Sequence, residues 1–325
     1  MKSHFERHIL GREFSLTERQ SGGDGRFQAG REGVLIILTP ADRKVEFICY
    51  ADKTLCYVKS TMGYPALYPI EPVRSERPLR AVLMDLDGTS VRSEEFWIWI
   101  IEQTTARLLG RPRFGLEEAD LPHVSGHSVS EHLQHCIAKY CPNTSVEEAR
   151  AIYFEIVHAE MQAIIEGRGR PDAFRPAPGL KSFLTALKDR GIRVGLVTSG
   201  LHEKAWPEIL AAFRTMEMGD PREFYDAIIT AGTPLRGGQP GTLGELAPKP
   251  HPWLYAEAAR VGLGIDPSDR HSVIGIEDSA AGVISIRLAG FAVIGMTGGN
   301  IEAAGVRELC QHFCQSLDEA KDLIE

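Results

Sequence analysis

Residues 81 to 85, Ala-Val-Leu-Met-Asp, form an unbroken apolar run closed by a carboxylate, and the chain continues Leu86-Asp87-Gly88-Thr89. A run apolar at every position, rather than at every second one, belongs to a strand covered on both faces, the habit of parallel sheets. A parallel strand needs a crossover before its neighbour, so the rest of such a chain must alternate strands with helices. From about residue 178 it does. The pattern predicts helix Leu180–Asp189, strand Val194–Val197, helix Glu203–Met216, strand Ala227–Ile229, helix Pro252–Val261, strand Ser272–Ile276, helix Ala280–Leu288 and strand Ala292–Ile294. Asp-Gly also suits a hairpin turn. Beyond Thr89, however, the chain is polar and then helical, with no alternating strand to complete a hairpin.

The alternation is interrupted between residues 90 and 177. There Phe96, Ile100, Ile101, Thr104 and Leu108 share one face of a helix expected over Ser93–Leu109. Two further helices are expected near Ser130–Tyr140 and Val146–Ile165, the second opened by Thr144 and Ser145 ahead of Glu147 and Glu148. No strand is expected inside this insert. Ahead of residue 81, the segments Gly33–Thr39, Val45–Tyr50 and Thr54–Val58 read as a small antiparallel meander. Pro65, Pro69, Pro72 and Pro78 read as a stiff connector, and residues 1 to 30 as polar chain with little order at its start. The predicted architecture is therefore α/β: a Rossmann-like parallel-sheet core split into 79–89 and 178–325. An all-α cap is inserted at 90–177, and a β-rich extension occupies 1–78.

The chain of 325 residues, 43% apolar and 25% charged, has ample length for a core of this kind. A net charge of −8 argues against nucleic acid or an anionic membrane as the main partner. The apolar run Phe96–Ile101 is far too short to span a bilayer, and the charged N-terminus lacks an apolar stretch behind it. The expected compartment is the cytoplasm. Cys49, Cys56, Cys136, Cys141, Cys310 and Cys314 form no Cys-x-x-Cys pair and read as free thiols. A turn at Asp52-Lys53 would set Cys49 opposite Cys56, within reach of a cross-strand disulfide. Cys310, His312 and Cys314 are too few for a closed zinc site.

Chemistry gathers at the strand ends. Asp85 and Asp87 close the first strand. Thr198-Ser199-Gly200 closes another and presents a hydroxyl and free N–H groups where a helix begins, which is either a phosphate cradle or a plain helix cap. Lys249 lies between prolines before a helix, and Glu277-Asp278 ends a third buried strand. In a parallel sheet these groups converge on one rim. Clustered carboxylates repel, a divalent cation relieves that repulsion, and an oxygen-only donor set suits Mg2+. Lys249 and Thr198 would then face an anion sharing the metal, which describes a phosphoryl-transfer site.

The order Asp85-Leu-Asp87-Gly-Thr, Thr198, Lys249-Pro, Glu277-Asp278 resembles the haloacid dehalogenase superfamily of phosphohydrolases. The helical insert is similar to its subgroup with a helical cap, which includes phosphoglycolate phosphatase and β-phosphoglucomutase. The resemblance implies Asp85 as nucleophile, forming an aspartyl-phosphate, and Asp87 as the acid and then base, its proton retained by crowding among carboxylates. It implies Mg2+ held by Asp85, the main-chain carbonyl of Asp87, and Asp278. Thr198, Ser199, Gly200 and Lys249 would hold phosphate, and Glu277 would orient Lys249 or a metal-bound water. The expected substrate is a small phosphorylated metabolite.

Asp87 sets the chain apart from the dehalogenases and ion-pumping ATPases of the superfamily, which lack an acid there. Arg92 stands where relatives usually carry an acid, and Trp97 and Val129 replace a linker histidine and cap arginine of β-phosphoglucomutase. Lys139, the one lysine between 90 and 177, is poorly placed for the Schiff base of phosphonoacetaldehyde hydrolase. Substrate contacts are expected from Trp97 and from His123, His127 and Ser128 in the cap loop; with His132 and His135 the histidines also read as solvated surface groups. The glycine-rich stretch Thr233–Gly244 reads as a lengthened connection ahead of Lys249. A sugar phosphomutase and a non-catalytic binding protein on the same fold are the competing readings.

Overall fold

The computed structural model describes residues 16–59, 65–120, 129–170, 172–231 and 247–324. The N-terminal sheet has the strand order β1 (Thr17–Arg19), β2 (Ile36–Thr39), β3 (Val45–Cys49), β4 (Thr54–Val58) and β5 (Ala66–Pro69), each antiparallel to the next. The meander is thus longer than expected by a strand at each edge. β1 lies in the stretch read as polar chain without a strand, and β5 in the stretch expected to be a connector. Both are short edge strands, where alternation has few residues in which to show. Tyr50 N–H donates to Lys53 O at 2.8 Å, so the β3–β4 turn is centred on Ala51-Asp52. Cys49 therefore faces Thr54 and Cys56 faces Phe47, and the cysteines are free.

The second sheet is six-stranded and parallel: β6 (Ala81–Asp85), β9 (Arg193–Leu201), β10 (Ala227–Ala231), β11 (Val273–Glu277), β12 (Ala292–Met296) and β13 (His312–Cys314). Its spatial order is β10-β9-β6-β11-β12-β13. β6 sits centrally and is buried at every position, as its unbroken apolar run requires. The chain builds outward from β6 through β9 to β10, then returns to β11 on the other side. That reversal creates a switch point at the carboxyl ends of β6 and β11. β13 has no counterpart among the expected strands; it places His312 and Cys314 in an edge strand.

Between β6 and β9 come β7 (Val91–Arg92), α1 (Glu94–Leu109), α2 (Val129–Tyr140), α3 (Val146–Ile165), β8 (Arg175–Pro176) and α4 (Leu180–Asp189). β7 and β8 pair as a two-residue antiparallel ribbon at the ends of a segment expected to be free of strands. Later helices are α5 (His202–Met216), α6 (Pro221–Phe224), α7 (Trp253–Glu257), α8 (Ala280–Leu288) and α9 (Leu317–Ile324). α7 is shorter than expected because its last turn widens into a π turn over Ala258–Gly262, where a side chain at Gly262 would meet Ala227 on β10.

Two compact units result. One comprises Met1–Ser90, Ala177–Ala205 and Met218–Glu325; the other comprises Val91–Pro176 and Trp206–Glu217. In the first unit the N-terminal sheet and the α/β sheet share one hydrophobic cluster. Val45, Phe47 and Cys56 lie in it together with Leu254, Tyr255 and Ile284. Ile37, Ile48 and Tyr57, on the alternate positions, form a separate small cluster backed by Phe27. β3 is consequently buried on both faces despite its antiparallel setting. Among the described residues, no helix is long and apolar enough to cross a membrane.

Candidate active site

β6 delivers Asp85 to the carboxyl edge of the sheet, and β11 delivers Glu277 next to it, because the two strands pair in parallel from Ala81 and Val273 onward. Beyond β6 the chain turns sharply. Gly88 has φ +84°, and a side chain there would collide with the Asp278 carboxylate, so both backbone freedom and close approach call for glycine. Ser90 closes the turn: its hydroxyl donates to Asp85 O at 2.5 Å and its N–H to Leu86 O at 2.9 Å. Thr89 donates from Oγ1 to Asp278 Oδ1 at 3.2 Å.

Asp85, Glu277 and Asp278 are buried and offer oxygens within 4.8 Å of one another. Lys249 is buried among them; its ammonium donates to Asp85 Oδ1 and, at 2.6 Å, to Glu277 Oε1. Tyr255 of α7 donates to the same Glu277 oxygen at 3.2 Å, and its ring lies under the Lys249 ammonium at 5.1 Å. Ser279 N–H donates to Glu277 Oε2 at 2.7 Å, while the Ser279 hydroxyl caps α8 by accepting from Gly282 N–H. Glu277 is thus fixed on both oxygens.

Burial pushes the Asp85 carboxyl well above its usual range, and repulsion from Glu277 adds to this against the opposing pull of Lys249. Burial and then Glu277 push Asp278 up to about 7, with Thr89 working the other way. For Lys249 burial favours loss of the proton, but Asp85 and Glu277 outweigh it and hold the ammonium charged. With all three carboxyl groups ionised, one ammonium would leave two negative charges in a buried pocket, an arrangement that costs several kcal/mol unless compensated. A dication with oxygen ligands balances that charge, so the residues present fit Mg2+.

Asp87 stands apart from this trio. Its carboxylate is about one-third exposed, with Thr198 donating to Oδ2 at 3.5 Å and Lys204 at 3.7 Å from Oδ1. The Asp87 charge also bears on Asp85 and adds to the upward push on its carboxyl. The Thr198–Gly200 segment differs from expectation. β9 runs on to Leu201 rather than ending at Val197, α5 follows at His202, one residue ahead of its expected start, and the Gly200 N–H expected to be free donates to Thr198 Oγ1 at 2.9 Å. Ser199 Oγ accepts from Lys249 N–H at 3.1 Å, tying the lysine loop to β9.

Trp97 packs on Phe96 and Phe174 in the second unit, with ring centroids 5.2 and 6.1 Å away. His135 and Lys139 both contact Asp120 at 2.8 Å, and Tyr140 also donates to that carboxylate, so His135 belongs to a structural knot. The same knot holds Lys139 charged, the wrong state for a Schiff-base amine. His123, His127, Ser128 and the 233–244 stretch lie outside the described residues.

A family model for haloacid dehalogenase-like hydrolases matches residues 79–290, and the chain belongs to that family. Validoxylamine A 7'-phosphate phosphatase of Streptomyces hygroscopicus subsp. limoneus is 27% identical over 222 residues, 67% of this chain and 85% of that protein. Among solved structures, CbbY from Rhodobacter sphaeroides in complex with phosphate superposes with a TM-score of 0.51 at 20% identity, over 74% of this chain and 96% of its own. A predicted phosphoglycolate phosphatase from Haemophilus somnus 129pt gives 0.56 at 17% identity, over 76% and 98%. At these identities the two structures speak for the fold alone.

Proposed function

We propose that this hydrolase is a Mg2+-dependent phosphatase that cleaves a small phosphorylated metabolite through an aspartyl-phosphate. The observation that carries the reading is the Lys249 ammonium held against both Asp85 and Glu277, with Asp278 completing the carboxylate trio. Such a site keeps a carboxylate nucleophile beside a permanent cation that receives the charge of an incoming phosphate. The 27%-identical relative, named for the phosphatase of a phosphorylated small molecule, supports the substrate class.

In the first step an Asp85 carboxylate oxygen forms a bond to phosphorus and the ester P–O bond breaks. Asp87 donates its proton to the departing oxygen. In the second step Asp87 removes a proton from water, whose oxygen attacks phosphorus, and Asp85 is released with phosphate. Thr198 and Lys249 donate to the non-bridging oxygens, and Lys204 steadies Asp87 once it is ionised. Asp85, the Asp87 main-chain carbonyl and Asp278 would hold Mg2+, which would supply Lewis-acid neutralisation of the phosphoryl charge. Glu277 keeps Lys249 aimed at the reacting group.

The test is phosphate release from a panel of phosphorylated metabolites, with and without Mg2+, alongside Asp85→Asn. Release that requires the metal and falls to background in the variant is expected. Release that survives Asp85→Asn or proceeds equally in chelator overturns the reading.

A further inference from the structure

The N-terminal sheet carries none of the catalytic groups, yet one of its side chains reaches the lysine loop. Tyr68 on β5 places its hydroxyl 2.8 Å from His251 Nδ1, two residues beyond Lys249. The two rings meet edge-to-face at 5.8 Å, and Tyr68 meets Trp253 in the same way at 6.0 Å. The Tyr68 hydroxyl and His251 Nδ1 therefore share one hydrogen bond. His251 is buried, and its Nε2 has no hydrogen-bond partner among the described residues. Tyr68 is thus the contact that fixes the imidazole. The His251 main chain is held too: its N–H donates to Pro248 O at 3.1 Å, and its carbonyl accepts from the buried Ser285 hydroxyl at 2.6 Å.

Lys249 must carry its ammonium to Asp85 and Glu277 on a flexible four-carbon stem, so its aim depends on where its backbone is anchored. One side of that backbone is tied by Ser199 and the other by His251. We propose that Tyr68 is a positioning residue: through His251 it braces the lysine loop, making the N-terminal sheet part of the apparatus that aims Lys249 at the phosphoryl group. This rests on the phosphatase reading. The brace is open to test without turnover, because Lys249 is the group that meets the anion whereas Asp85 and Asp278 are the groups that meet the metal.

The experiment compares wild type with Tyr68→Phe, which keeps the ring and removes the hydroxyl. Calorimetric titration reads Mg2+ affinity, then orthophosphate affinity in saturating Mg2+; kcat is read on the best substrate of the panel. The variant is expected to bind orthophosphate roughly three- to tenfold more weakly and to lose kcat to a similar degree, the range one net hydrogen bond commands. Its Mg2+ affinity should be unchanged. Orthophosphate affinity and kcat within twofold of wild type, whatever happens to the melting temperature, overturn the proposal and leave Tyr68 a packing residue. A parallel fall in Mg2+ and orthophosphate affinity also overturns it, since that reports general damage to the site. If Tyr68→Phe does not fold, His251→Phe, which removes the Nδ1 partner of the Tyr68 hydroxyl, is read by the same two affinities and the same limits. Should wild type release no phosphate from any substrate, the phosphatase reading fails by itself, and the orthophosphate titration still decides the brace.

Discussion

Gly282 lies in the first turn of α8 and packs against the Glu277 carboxylate, so closely that any side chain there would overlap it. Glu277 cannot swing aside without releasing Lys249, Tyr255 and Ser279 together. Gly282→Ala is therefore expected to lower unfolding free energy by about 1–3 kcal/mol, read as a reduced urea midpoint with unchanged slope. An unchanged midpoint would mean that Glu277 has room to move. The carboxylates and Lys249 are legible in the sequence because each charged residue closes an apolar strand or sits in a proline-fixed turn. Thr89, Lys204, Tyr255 and Gly282 are not: each acts on a partner elsewhere in the fold, and nothing in its own neighbourhood marks it. Asp87 is legible as an acid; its contacts with Thr198 and Lys204 are not, since both are made by residues more than 100 positions away.

Among the elements, α3 has the boundaries its sequence predicts because two signals coincide there. Ser145 accepts from Glu148 N–H at 3.1 Å, and the apolar face buries Ala149, Tyr153, Val157 and Met161 at helical spacing. Ser145→Ala leaves that N–H without its acceptor and should cost about 1 kcal/mol. Thermal unfolding followed by circular dichroism checks it; a melting curve superposable on wild type would assign α3 to packing alone. The alternating strands and helices after residue 178 are legible for a similar reason. β1, β5, β7, β8 and β13 are not. They are two to four residues long, at sheet edges or in an isolated ribbon, and owe their existence to a neighbouring strand more than to their own pattern. The π turn after α7 is also hidden, being set by contact with β10.

For the whole molecule, the buried carboxylates tie stability to pH and metal. Asp278, raised from the usual carboxylate range to about 7, keeps in the metal-free fold a proton that the unfolded chain has already lost. Its contribution to metal-free stability is full below the unfolded value near 4, and is lost as pH rises through about 7. Mg2+ must displace that proton at low pH but not above the folded value. The gain in melting temperature on adding Mg2+ should therefore be larger at about pH 8 than at about pH 5.5. An equal gain at both would place the metal away from Asp278.

The central position of β6 has a consequence for the order in which the protein is made. The five strands of the N-terminal sheet are complete once Pro69 has been synthesised, and each pairs with its neighbour in sequence. β6 comes next, yet Ala81 pairs with Arg193 on one side and Val273 on the other. This wholly buried strand thus leaves the ribosome long before either neighbour exists. It can be seated only after the insert has been made and the chain has come back twice. A truncated product ending before Glu277 contains Asp85 but neither the completed sheet nor the full lysine-and-carboxylate surroundings that hold it.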